Sequence, residues 1–116
     1  MQIQVNANDH VSGSDSVAER VKAEIEAELD RFADQITRVE VHLSDTNKAK
    51  AGEDDKRCLI EVRLTGRQPI AVTNFASTVV DAYTGAVQKV VNHLETTLGR
   101  LRDVKGAPSI RDNPLR

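Results

Sequence analysis

The chain has 116 residues, 39% of them apolar, enough for one modest hydrophobic core and not two. Its 16 basic and 18 acidic side chains leave a formal charge of −2, which excludes a uniformly basic nucleic-acid binder. The single cysteine, Cys58, excludes an intrachain disulfide and a cysteine-built zinc cage, and three aromatic rings (Phe32, Phe75, Tyr83) are too few for a base-stacking platform.

The opening, Met1-Gln-Ile-Gln-Val-Asn6, has no basic region followed by an apolar stretch. No signal peptide is expected from it, and the expected location is the cytoplasm. Gln2 to Asn6 alternates polar and apolar residues and predicts a short strand with Ile3 and Val5 on one face. A polar loop, Asn8 to Ser14, follows. Ser16-Val-Ala-Glu19 has the form of a capping box, and Val17, Val21, Ile25, Leu29 and Phe32 recur at helical spacing. The first helix is therefore expected from about Ser16 to about Ala33, with one buried face.

Val39, Val41 and Leu43 alternate with Glu40, His42 and Ser44 in a second strand, entered from Ile36 and Thr37. Residues 45–57 carry no large apolar side chain and predict a long polar hairpin connection, mobile at its tip around Gly52. Cys58, Ile60, Val62 and Leu64 mark a third strand, and Ile70 and Val72, after the turn Thr65 to Pro69, begin a fourth. Thr78-Val-Val-Asp81 is placed to cap the last helix. Its stripe of Val79, Tyr83, Ala86, Val87, Val90, Leu94, Leu98 and Leu101 is the strongest periodic signal in the chain. Gly85 and Gly99 are its weak points, each costing about 1 kcal/mol relative to Ala. The domain is expected to span residues 1–103, with residues 104–116 a disordered tail that carries two prolines and no period.

The order β-α-β-β-β-α, with one apolar face per strand and one apolar stripe per helix, predicts an α+β two-layer sandwich. Two helices would pack on one face of a four-stranded mixed sheet. The first two strands, joined through a helix, should run parallel with a right-handed crossover, and the rest antiparallel.

No catalytic constellation stands out. There is no phosphate loop, nucleophile elbow or dinucleotide fingerprint. Cys58 shares the parity of the core residues and reads as an inert buried thiol. His10, His42 and His93 lie in different elements, so no metal site, cofactor or small-molecule substrate is expected. Charge, however, is polarised. Residues 15–32 sum to −3 and residues 96–116 to +3. Arg20 and Arg31 share one flank of the first helix, and Lys89, His93 and Arg100 share one flank of the last. Helices lying side by side would present these cations together, as phosphate contacts that carry no sequence information. Against that reading, cations near a helix C-terminus also complement its dipole. The polar sheet face, with Leu59, Ala71 and Thr73, and the edge of the fourth strand offer a second use, a homodimer or protein-interaction surface.

The chain also resembles the ribosome hibernation-promoting factor / ribosome-associated inhibitor family. The likeness rests on the β-α-β-β-β-α order, the start Met1-Gln-Ile-Gln-Val5 and the hairpin strings Ile36 to Ser44 and Asp55-Lys-Arg-Cys58 to Arg63. It rests also on Asp81-Ala-Tyr83 and the helix end His93 to Asp103. The resemblance implies a non-enzymatic factor bound to rRNA phosphates of the small ribosomal subunit, in the channel used by mRNA and tRNA. Such a factor inhibits translation or protects idle ribosomes under stress. The residues it implicates as RNA contacts are Arg20, Lys22 and Arg31 on the first helix, Lys56 and Arg57 on the hairpin, and Lys89, Arg100 and Arg102 on the last helix. Lys48 and Lys50 of the hairpin would add to them. No catalytic, metal or membrane role is implied.

Overall fold

A computed structural model describes residues 1–7, 14–45 and 55–106, with the side chains of residues 14–15 and 99–106 outside the described set. The elements follow the order strand, helix, strand, strand, strand, helix. They are β1 (Gln2–Ala7), α1 (Ser14–Leu29), a 3-10 helix (Asp30–Gln35), β2 (Ile36–Asp45), β3 (Lys56–Leu64), β4 (Ile70–Ala76) and α2 (Val79–Gly106). The sheet order is β1-β2-β3-β4, with β1 parallel to β2 and the other neighbours antiparallel. α1 packs over β1 and against α2, and α2 packs over β3 and β4. This is the two-layer α+β sandwich that the pattern predicts.

The core lies between the helices and the sheet. Val21, Ile25 and Leu29 from α1 and Val87, Val90 and Leu94 from α2 meet Val39, Val41, Cys58, Ile60 and Val62 from the strands. Burying such side chains contributes about 1.5–3 kcal/mol each, which outweighs the weak propensities of the Val-rich stretch Val87 to Val91 in α2.

Four local features depart from the simple periodic reading. Ser16 is already inside α1, which begins at Ser14, so the Ser16 to Glu19 capping box does not form. α1 closes at Leu29, not near Ala33, and the chain tightens into the 3-10 helix. That tighter turn still buries Phe32, and its end is sealed where the extended residue Ile36 donates its N–H to Ala33 O. In β2 the pairing with β3 slips between Ile36 and Arg38, a bulge at Thr37. The bulge lets Ile36 as well as Val39 face the core, and Thr37 Oγ1 donates to Arg63 O at 3.2 Å. The hairpin strands are also longer than predicted, because Lys56 and Arg57 already pair with Asp45 and Ser44. Residues 46–54, which hold Lys48, Lys50 and Gly52, lie outside the described residues.

α2 starts as its sequence suggests. Thr78 Oγ1 accepts from the Asp81 N–H at 3.1 Å, and Thr78 O accepts from the Ala82 N–H at 3.0 Å. The helix runs to Gly106, three residues past the expected limit of the domain. Residues 107–116 lie outside the described set. Gly85 has a positive use. A Cβ there would collide with the amide of Asn74, which donates from Nδ2 to Ala82 O at 3.1 Å and to Asp81 O at 3.4 Å. Its missing side chain lets β4 dock on the first turns of α2.

Candidate nucleic-acid interface

The helix positions of the predicted cations decide which of them can act together. Arg20 and Lys22 are exposed on α1. Two residues apart, they point to nearly opposite flanks, about 200° around the axis. Neither has an ion-pair partner among the described residues. Arg31, in the 3-10 helix that follows α1, lies at the seam with α2. Its Nη2 meets Glu95 Oε2 of α2 at 2.6 Å, and its guanidinium sits 4.6 Å over the Phe32 ring. Much of its charge is therefore answered within the protein.

The hairpin cations differ from one another. Lys56 Nζ sits 2.9 Å from Asp55 Oδ1 and 3.2 Å from Asp45 Oδ2. The hydrogen bond to Asp55 is the main reason its pKa is raised, with Asp45 adding to it and partial desolvation opposing. Arg57 is half-buried on the helix-free sheet face, in register with Ser44 and Phe75. No carboxylate pairs with it among the described residues.

Lys89 takes a different direction from the one a shared inter-helix groove requires. Its Nζ donates to Thr73 O of β4 at 2.9 Å, whereas Glu95 reaches Arg31. Lys89 and Glu95 lie roughly 120° apart on α2, so the seam and the Lys89 flank are separate surfaces. The Lys89 flank continues to His93, four residues on. There the helix and the β3–β4 turn enclose an open cleft of about 360 Å³. Leu64, Pro69 and Ile70 give it an apolar floor, and Arg67, Gln68, His93 and Thr97 give it polar walls, with no carboxylate among the lining residues. The turn is shaped by Gly66, at φ +67°, and is tied down where Thr65 N–H donates to Gln35 O at 2.9 Å.

Arg67 is absent from the sequence-derived set. Its signal was available: it is the cation of the β3–β4 turn, and antiparallel pairing carries that turn back toward the Lys89–His93 flank. Arg100 and Arg102 belong to the α2 backbone, but their side chains lie outside the described residues. Cys58 is fully buried, and desolvation pushes its thiol up to about 12, so it is no nucleophile. No described helix is long and apolar enough to cross a membrane.

Comparison with known proteins follows the same lines. Residues 3–105 match the family described as sigma 54 modulation protein / S30EA ribosomal protein. No curated protein matches the chain. Among solved structures it is similar to the N-terminal domain of Thermus thermophilus Protein Y, with a TM-score of 0.65 and 21% identity over 84% of this chain and 99% of that one. It is also similar to a ribosomal subunit interface protein from Coxiella burnetii, with a TM-score of 0.61 and 16% identity over 85% of this chain and 99% of the other. At such identities the two structures speak for the fold. The family match spans residues 3–105 of the 116, and it agrees with the resemblance carried by the strings Ile36 to Ser44 and Asp55 to Arg63: the chain belongs to the sigma 54 modulation protein / S30EA ribosomal protein family.

Proposed function

We propose that the protein is a non-enzymatic, cytoplasmic ribosome-associated factor that binds rRNA phosphates of the small subunit. In the channel used by mRNA and tRNA it would inhibit translation or protect idle ribosomes under stress. The observation that carries this reading is the family match over residues 3–105. The geometry supports it with an anion-accepting flank. His93 of α2 and Arg67 of the β3–β4 turn line a cleft with no carboxylate among its lining residues, and Lys89 lies one turn before His93, bonded to Thr73 O. Arg20, Lys22 and Arg57, without ion-pair partners among the described residues, add charge elsewhere, and Arg100 and Arg102 lie on the last helix beyond His93. Arg31 and Lys56 contribute less, because Glu95, Asp55 and Asp45 already hold them. Phosphate contacts make affinity fall with salt, by roughly 0.7–0.9 in log–log slope per contact. Co-sedimentation with small subunits across a salt series is the test. Binding at low salt that fades steeply is expected, and failure to sediment at low salt removes the proposal.

Phe75 favours a second reading. It is 48% exposed on the outer side of the edge strand β4, beside Arg57 and near Leu59. A homodimer through this face or edge would cover it. Light scattering at several concentrations separates a dimer from a monomer.

A further inference from the structure

The helix-free face of the sheet holds a cluster outside the RNA contacts proposed above. Glu40 and Glu61 stand directly opposite each other on β2 and β3. Like charges in that relation destabilise a sheet unless a cation answers them. His42 lies one step along the same face, two residues after Glu40. Its Nε2 is 3.7 Å from Glu40 Oε1 and 3.9 Å from Glu61 Oε1. One ligand atom from each of the three residues falls within 4.8 Å of the others, so a modest rotation of these side chains brings them to the separation of about 3.3–3.6 Å that ligands of one tetrahedral ion need. The other Glu40 oxygen, Oε2, is 2.7 Å from Arg38 Nε, and Arg38 in turn donates to Gln4 Oε1. Arg38 Nε is buried without an aligned hydrogen bond, so its hold on Glu40 is ionic. That ion pair fixes one oxygen of the carboxylate and leaves Oε1 turned toward His42, the kind of outer support that metal-ligating carboxylates receive. All three side chains rise from paired strands, which hold ligands more firmly than loops do.

We infer that Glu40, His42 and Glu61 form a three-ligand site for a divalent transition-metal ion of the zinc class. One imidazole and two carboxylates suit such an ion, which takes three protein ligands and completes its shell with water. Magnesium and calcium prefer all-oxygen shells, so the imidazole selects against them. The inference is independent of ribosome binding, and the two can fail separately.

The test uses the untagged full chain, titrated with Zn²⁺ by calorimetry. One Zn²⁺ per chain is expected. His42→Ala and Glu61→Gln should each weaken binding by about tenfold or more, while His93→Ala keeps it. Mg²⁺ should not compete. Because a variant can fail by misfolding, a second measurement uses the unaltered protein. Added Co²⁺ should broaden amide NMR signals centred on Glu40, His42 and Glu61. No saturable Zn²⁺ binding, undiminished binding by His42→Ala, or broadening centred elsewhere overturns the inference.

Discussion

The two flanks of α2 both carry cations, with opposite prospects. On the α1 side, Arg31 meets Glu95 and the pair closes on itself. On the β4 side, Lys89 donates to a backbone carbonyl and meets no carboxylate among the described residues, and His93 and Arg67 border a cleft that no carboxylate lines. Donation to a carbonyl leaves the ammonium charge uncompensated, whereas a carboxylate at 2.6 Å offsets most of the field felt by a phosphate that is not in direct contact. What makes a cation available to a phosphate is thus its neighbours more than its place in a basic stretch. This also explains how a chain of net charge −2 can offer a usable basic surface.

Both flanks stand on one core, and the largest effect comes from breaking it. Leu94 is fully buried beneath them, and Leu94→Ala should cost about 2–5 kcal/mol in chemical unfolding. The two flanks would then be lost together. The contrast itself is sharpened by replacing both Arg67 and Lys89 with Ala. The salt dependence of small-subunit binding should flatten by about 1.4–1.8 in log–log slope, with stability barely changed. Equal flattening by Arg31→Ala would erase the distinction between the flanks.

A smaller effect tests how the β4 flank is held in place. Gly85→Ala gains about 1 kcal/mol of helix propensity but displaces Asn74 from two carbonyls, at a cost of about 1–3 kcal/mol. Net destabilisation of about 1 kcal/mol is expected in the unaltered background. With Asn74→Ala present, the same change should become stabilising by up to about 1 kcal/mol. Additive effects in this double-mutant cycle would show that the close approach at Gly85 is not what docks β4. The smallest effect belongs to the seam. Arg31 and Glu95 are 58% and 49% exposed, so breaking their pair should change stability by about 0–1 kcal/mol, less at high salt.

Alternation and helical spacing were sufficient to place all four strands, both helices and nearly every core residue, because burial imposes periods of two and of 3.6. The departures lie where a local hydrogen bond or turn competes with that period. Thr37 bulges so that Ile36 and Val39 can both face inward, and the end of α1 tightens so that Phe32 can reach the core. A capping box at Ser16 matched a pattern whose position the helix start had already passed. For the candidate interface, spacing did put Lys89 and His93 on one flank. It did not reveal which neighbour that flank faces, since the choice between α1 and β4 depends on how α2 lies across the sheet. Arg67 was legible as the cation of the β3–β4 turn, and what spacing alone did not show is that this turn closes a cleft with His93.

Cys58 lies in register with Leu43 on one side and Asn74 on the other. Desolvation lifts its thiol from an ordinary 9.0 to about 12, with Arg57 pulling only weakly in the opposite direction. The unfolded chain therefore releases this proton first. Stability is fully present below pH 9.0 and is lost progressively toward about pH 12, and Cys58→Val should remove that part of the slope. The same burial turns the residue into a stopwatch. Only the thiolate reacts with an alkylating reagent, so the closed molecule is silent and each labelling event records a moment when the strands have parted from the helices. With one cysteine in the chain, the reading needs no added label, and comparing its rate with ribosomes present or absent would time how firmly a bound partner holds the two layers together.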